Sequence, residues 1–325
     1  MTIELKESFD EALKAYLIAN NLISTKATII GYSKAGEGNM NFVMRLITSE
    51  GNLILKQSRD YVNKYPQIAA PIERVAVEKA FFDVVNNDVT LAEFSPSVLH
   101  FDAENHLLVM EDLGNGKDFM KLYQDQSTIS ASDIESLISY LVKLHSQESL
   151  GFPSNSAMKE LNHEHIFHFP YMEENGFNLD DIQEGLQDLA MAYKTDNRLK
   201  QEIEKIGERY LSQGKTLLHG DFYPGSWLKV DTEVKVIDPE FGFLGDPEFD
   251  LGVMMAHFEM SKIDHNILKK CLNQYESERG VGKKLLQQYQ GIEIMRRLIG
   301  IAQLPVNLSL NEKSELLKKA KALIL

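Results

Sequence analysis

The sequence predicts an α+β fold in two parts: a small N-terminal lobe of antiparallel strands with one long internal helix, and a larger, mainly helical C-terminal lobe. Alternating apolar runs separated by short turns dominate up to about residue 112. Helical periodicity dominates after it, apart from one compact β-rich island within residues 216–250. Length agrees, because 325 residues exceed what a single hydrophobic core usually serves. The reading places residues 1–112 in the first lobe and 113–325 in the second.

In chain order, residues 6–20 read as an amphipathic helix, with Phe9, Leu13, Tyr16 and Leu17 at helical spacing. ATIIGYS, FVMRLIT and LILKQS follow as strands; KAGEGNMN joins the first two and the turn SEGN the last two. PIERVAVEKAFFDVV (71–85) reads as a helix, with Pro71 near its start and Val75, Ala76 and Phe82 among its apolar positions. Ser95 and Pro96 break the chain before SVLHF and HLLVMED, two strands joined by DAEN. LGNGKD is a connector. Helices then run to about residue 216, clearest in ISASDIESLISYLVKLHSQ, with GFPSNS and HFPYMEENGFN as loops. The β island reads as a hairpin of TLLHGDFYPGSWLKV and VKVIDPEFGFLGDPEFD; helices occupy 249 to the end, the last two separated by Pro305.

Composition narrows the function classes. Lys and Arg number 34 against 48 Asp and Glu, a net charge of −14, which opposes a nucleic-acid-binding surface. It leaves room for a phosphate-bearing small ligand if a metal supplies local positive charge. Hydrophobic residues at 43% and charged residues at 25% argue against a disordered or fibrous chain. Cys271 is the single cysteine, so neither an internal disulfide nor a Cys-based zinc site is expected. MTIELKESFDEALKAYL has no basic stretch followed by an apolar run, and no segment approaches the ~20 apolar residues of a membrane span. A cytoplasmic protein is expected, with neither nucleic acid nor membrane as partner.

The strongest chemical signal lies at 219–240. Asp221 follows an apolar run, in a loop with Gly220, Pro224 and Gly225, and Asp238 ends the next run 17 residues later. Carboxylates at the ends of two adjacent hairpin strands would converge. Phosphoryl transfer uses such a pair: one orients the acceptor hydroxyl and takes its proton, the other holds the Mg²⁺ that neutralises the phosphates. Turn-forming Asp beside Gly and Pro is the plain alternative. His163, His165 and His168 have neither zincin nor zinc-finger spacing. They read as surface histidines, with a substrate contact as the next option, and Trp227 reads as core.

HGD followed 17 residues later by DPE, and then GDPEFDLG, resembles the aminoglycoside phosphotransferase/choline kinase superfamily, which has a protein-kinase-like fold. The methylthioribose kinase branch is the nearest likeness. GEGNMNFV, LILKQ, HGD…GS, IDPEFGF and, more weakly, IMRRLIGIA at 294–302 carry it, from about residue 30 to residue 303. The resemblance implies ATP and Mg²⁺ as cofactors. Lys56 would pair with the α/β-phosphates and Glu78 would orient Lys56, with Glu73 as the alternative. Gly36 and Gly38 would let the backbone approach the phosphates, with Asn39 and Asn41 adding side-chain contacts, and Met110, Glu111 and Leu113 would flank the adenine. Asp221 would be catalytic. Asp238 and Glu240 would hold the metal, with Ser226 where most of the superfamily has a metal-binding Asn, and Asp250 would brace the catalytic loop through backbone hydrogen bonds. Arg296 and Arg297 would lie near the substrate and the transferring phosphate, a core-edge salt bridge being their other reading. The expected partners are ATP and a small hydroxyl-bearing substrate, with a homodimer as the assembly common in that branch.

The chain departs from the branch in reading FYP after HGD, where the branch usually has LHT, and in lacking the branch's Trp between Lys56 and Glu78. The expected activity is phosphorylation of a sugar hydroxyl, with 5-methylthioribose as the leading acceptor. An aminoglycoside, choline or another amino alcohol is the alternative, and a nucleotide-binding pseudokinase scaffold is the reading from another class.

Overall fold

The computed structural model describes residues 2–36, 40–148 and 151–325. The chain divides into two compact units, Met1–Gly116 with Ile237–Phe241, and Lys117–Val236 with Gly242–Leu325.

In the first unit, α1 (Glu11–Ala19) starts later than the periodicity predicts. Asp10 accepts a hydrogen bond from the Leu13 N–H and caps the helix there, and Phe9 stays exposed outside it. Next come β1 (Ile29–Lys34), β2 (Phe42–Thr48), β3 (Gly51–Gln57), the small β4 (Tyr61–Val62) and β5 (Tyr65–Ala69) hairpin, α2 (Arg74–Asn86), α3 (Val89–Ala92), β6 (Val98–Asp102) and β7 (Leu107–Glu111). Among the described residues, the main sheet is antiparallel in the order β1-β2-β3-β7-β6. One face carries Leu46, Leu55, Leu107 and Val109, which pack with Leu13, Tyr16 and Leu17 of α1. Each such buried side chain contributes about 1.5–3 kcal/mol. Successive strand residues point to opposite faces, so Leu53, Leu55 and Gln57 belong to the α1 side and Lys56 to the other. There α2 supplies its buried side, Val75, Glu78, Phe82 and Val85 among them, and the turn Pro239–Phe241 packs on the same helix.

The second unit contains β8 (Lys117–Asp118), α4 (Ala131–Leu144), α5 (Ser156–His163), α6 (Leu186–Lys194), α7 (Asn197–Leu211), β9 (Thr216–Leu218), β10 (Trp227–Val230), β11 (Glu233–Val236), β12 (Phe243–Gly245), α8 (Glu248–Met260), α9 (His265–Arg279), α10 (Lys283–Ile299) and α11 (Leu310–Ile324). Helix α8 is buried almost all round and α10 over most of its length. Around them Ile203, Tyr210, Phe249, Ile292, Leu298 and Leu317 belong to one core. Trp227 is fully buried against Phe222 and Phe258, as expected. At Gly291 a Cβ would sit 2.6 Å from the Ala320 carbonyl oxygen, so glycine is what lets α11 lie so close to α10.

One expectation about the β island is corrected. The strand before Asp221 is not the hairpin partner of the strand before Asp238. β9 pairs with β12, whereas β10 pairs with β11 on one side and β8 on the other. The loop after Asp221 folds into a tight turn at Pro224–Ser226, where Ser226 N–H donates to the Tyr223 carbonyl at 2.8 Å. That turn starts a separate hairpin, and β9 finds its partner only after the chain has passed Asp238. Among the described residues, no helix is long and apolar enough to cross a membrane.

Candidate functional site

Two clusters gather the candidate residues, one in each unit. In the first, Lys56 is 4% exposed and its Nζ lies 2.6 Å from Glu78 Oε2 and in an ion pair with Asp238. Glu78 meets Lys56 because it points inward from α2, whereas Glu73 is exposed at the helix start. Burial opposes the Lys56 charge, but Asp238, Glu78 and Glu240 outweigh it and raise its pKa, so the ammonium is held. Burial in turn pushes Glu78 up to about 7 against the pull of Lys56. Asp238 has a positive φ of 68°, an unusual conformation for a residue with a Cβ, and its side chain stays 44% exposed.

Glu240 is 2% exposed and is pushed up to about 8, by burial first and by the Asp238 charge second. Asn41 Nδ2 donates to Glu240 Oε2 at 2.7 Å, and Asn41 Oδ1 accepts from Ser58. Arg74 Nε lies 3.4 Å from the same Glu240 oxygen, while the guanidinium also donates to the carbonyls of Met40, Arg59, Tyr61 and Pro71. Asn41, expected beside the nucleotide, is thus hydrogen-bonded to Glu240. Arg74 escaped the sequence reading; its one signal was a charged residue inside the apolar pattern of α2.

Two crowded carboxylates, one of them forced toward protonation, suit a hard divalent cation, which lets both ionise together. Among the described residues, no group of three or more His, Cys, Asp or Glu side chains forms a metal cage.

In the second unit Asp221 is centred among cations. Its Oδ1 lies 3.4 Å from Arg297 Nη2 and 3.9 Å from Arg296 Nη1. Both guanidiniums are fixed from behind by Glu293, which sequence reasoning missed: its carboxylate takes Arg297 Nε at 2.6 Å and Arg296 Nη1 at 3.1 Å. Spacings of three and four residues place all three on one face of α10. Burial works against the Glu293 charge, but Arg296 and Arg297 outweigh it and hold the carboxylate well below the usual range. Behind Glu293, His257 Nε2 lies 3.1 Å from Oε1 and Nδ1 lies 2.6 Å from the Tyr123 hydroxyl. An ionised carboxylate only accepts, so Nε2–H donates to Glu293 and Nδ1 accepts from Tyr123. Burial pushes His257 down to about 4, which keeps the ring neutral. Arg297 also lies over the Tyr223 ring, 4.9 Å from its centroid. Burial raises the pKa of Asp221 against the opposing pull of Arg297 and Arg296.

The loop around Asp221 is braced from α8. Asp250, fully buried, accepts from the N–H of His219 at 2.6 Å and of Gly220 at 3.0 Å. Gly220 needs its freedom, with φ at +85°. Ser226, expected at the metal, donates its hydroxyl to the Asp221 carbonyl at 2.9 Å. Met110 and Glu111 end β7, and the Glu111 N–H is taken by the Ser97 carbonyl. Leu113 follows in the connector, which Arg45 anchors through a two-point contact with Asp112 at 2.9 Å. Gly36 has φ at +110°; Gly38 and Asn39 lie outside the described residues. His168 is exposed and pairs with Glu164, His163 stacks on Phe167 and Tyr210, and the His165 ring lies against Phe169.

The model of the phosphotransferase enzyme family matches residues 32–285, well over half of the chain. The chain belongs to that family. Among curated relatives of this phosphotransferase, the methylthioribose kinase of Yersinia pestis (strain Pestoides F) is 28% identical over 258 residues, covering 72% of this chain and 60% of the relative. The chain thus spans about 60% of the length of such relatives. The methylthioribose kinase of Yersinia enterocolitica is 24% identical and matches 86% of this chain and 82% of its own. Solved structures agree in fold at low identity. The choline kinase LicA from Streptococcus pneumoniae has a TM-score of 0.56 at 13% identity, covering 97% of this chain and 98% of its own. A choline/ethanolamine kinase family protein from Mesorhizobium loti has a TM-score of 0.56 at 19% identity, covering 97% and 94%. The α+β class read from the sequence is the class observed.

Proposed function

We propose that the protein is an ATP- and Mg²⁺-dependent small-molecule kinase that phosphorylates a hydroxyl of a neutral sugar, with 5-methylthioribose as the leading acceptor. The observation that carries the reading is Asp221 Oδ1 lying 3.4 and 3.9 Å from two guanidiniums that Glu293 holds in place. Asp221 would orient the acceptor hydroxyl and take its proton, and its raised pKa suits that task. Arg296 and Arg297 would stabilise charge developing on the transferring phosphoryl group. Lys56, held protonated and oriented by Glu78, would bind nucleotide phosphate, and Asp238 with Glu240 would hold Mg²⁺. The metal, when bound, neutralises phosphate charge. Residues 1–112 as a nucleotide-binding lobe and 113–325 as a catalytic lobe belong to the same proposal.

The neutral acceptor is argued from charge. A choline or aminoglycoside cation would meet both guanidiniums, and the Tyr223 face that would suit an ammonium group is covered by Arg297. The names of the curated relatives point to 5-methylthioribose in particular. The test is ADP release from Mg-ATP over a panel of 5-methylthioribose, choline, homoserine, a fructosamine and kanamycin, with Asp221→Ala beside the wild type. Turnover with 5-methylthioribose alone, abolished in the variant, is expected. ATP binding without turnover of any acceptor would leave a nucleotide-binding scaffold and overturn the enzyme reading.

A further inference from the structure

Helix α5 does not end at His163 but continues as a π-helical turn, Glu164–His168, and then a tight turn, Phe169–Tyr171. Both turns pack on α10. Two close approaches hold them there. At Gly207 of α7 a Cβ would lie 2.7 Å from His163 Nε2, and at Gly300, just past α10, a Cβ would lie 3.1 Å from Pro170. Asn162 completes the link, its Oδ1 lying 3.4 Å from Arg296 Nη2.

Where these turns meet α10, three buried polar atoms lack a hydrogen-bond partner among the described residues: His165 Nδ1, Tyr171 Oη and Arg296 Nε. Tyr171 is 3% exposed and Arg296 7%. His165 and Tyr171 both lie close enough to Arg296 to feel its charge. Such groups are nearly always satisfied in a native protein, and leaving one bare costs about 1–3 kcal/mol. Three such atoms lie on elements that pack together, one of them on the guanidinium that also approaches Asp221, and they point to a ligand.

Building on the sugar-kinase reading, we infer that His165, Tyr171 and the Nε–H of Arg296 form the subsite that binds the non-reacting hydroxyls of a neutral polyol acceptor. The donor inventory fits. Arg296 Nε only donates, whereas a neutral imidazole and a phenol can each donate or accept, the mixture that vicinal hydroxyls satisfy. Burial first, and Arg296 second, lower the pKa of His165, so the ring is neutral at physiological pH. Around Asp221 the charges of Arg296 and Arg297 balance those of Asp221 and Glu293, and Glu164 also faces His165.

The test compares His165→Leu, Tyr171→Phe and His165→Asn with wild type in steady-state turnover of 5-methylthioribose and its 2-deoxy and 3-deoxy analogues. Losing one uncharged hydrogen bond corresponds to about a tenfold change. His165→Leu and Tyr171→Phe should each raise the acceptor KM about tenfold and leave the ATP KM within about twofold of wild type. His165→Asn, whose amide occupies the place of Nδ1, should recover most of the loss. One deoxy analogue should bind wild type weakly yet lose little more in the variant missing its partner. Acceptor KM values within about twofold of wild type in both deletions, alongside a lowered melting temperature, would assign the three atoms to an internal water and overturn the inference. A wild type that turns over no sugar overturns the functional reading first and this inference with it, so the two failures are distinguishable.

Discussion

His257 makes the second unit acid-sensitive by a predictable amount. In the folded protein burial pushes it down to about 4, from 6.5 in the unfolded chain. As pH falls, the unfolded state takes up this proton first, so the contribution is complete above pH 6.5 and is lost on the way to pH 4. The gap of 6.5 − 4 = 2.5 pH units at about 1.36 kcal/mol each is roughly 3 kcal/mol. Of this, about 2 kcal/mol is already gone at pH 5. Glu293 adds little to the slope there, since Arg296 and Arg297 keep it ionised far below that range. The perturbation is His257→Gln, which keeps an N–H for Glu293 but does not titrate. The assay is urea unfolding at pH 7 and pH 5, followed through Trp227, the single tryptophan, whose ring is 5.6 Å from that of Phe258. Wild type should lose about 2 kcal/mol more than the variant between the two pH values. Raised carboxylates such as Asp221 titrate in both proteins and largely cancel in the difference. Parallel losses, within about 0.5 kcal/mol, would refute a neutral His257 in the fold.

Three further predictions follow from the same geometry. Lys56→Met removes the cation that Glu78 and Asp238 face, and turnover with saturating acceptor should fall about 100- to 1,000-fold; a loss under tenfold would exclude the phosphate role. Asp250→Asn loses the second acceptor oxygen serving the His219 and Gly220 N–H groups, so kcat should drop about 10- to 100-fold while the ATP KM stays within about twofold, read by initial rates. Gly225→Ala would drive a Cβ into the Tyr223 ring, displacing it from beneath Arg297; kcat/KM for the acceptor should fall about tenfold, and an unchanged value would show that Tyr223 does not help place Arg297.

What was legible in the sequence was whatever local periodicity controls. The face of β3 that presents Lys56 follows from a two-residue repeat with Leu55 as its neighbour, whereas the choice of Glu78 over Glu73 rests on the family resemblance, and the structure places Glu78 on the buried side of α2. Asp250 was anticipated beside the loop, because a motif places it there. Ties spanning the chain were not legible. Asn41 reaches Glu240 across 199 positions, and Tyr123 reaches His257 across 134. Nothing local distinguishes such residues from ordinary buried polar ones. Glu293 was closer to hand, since an acid three and four residues before two arginines on one helix face is a recognisable pattern. The hairpin error has a related cause: apolar runs mark strands but carry no record of which strand each will pair with.

Counting charge by cluster explains why the overall surplus of acid misleads. Around Lys56, the carboxylates of Glu78, Asp238 and Glu240 face the cations of Lys56 and Arg74, which leaves the group one negative charge in excess when all are ionised. Full ionisation is resisted, since Glu78 and Glu240 are pushed up to about 7 and about 8. A divalent cation removes that resistance and turns the excess into a net positive centre, the condition for accepting polyphosphate. Around Asp221 the count is two against two, with His257 neutral. That cluster has no net charge with which to attract an ion. A surplus of 14 acids spread over 325 residues therefore says little about either ligand. The decisive quantity is the local balance, negative around Lys56 and zero around Asp221.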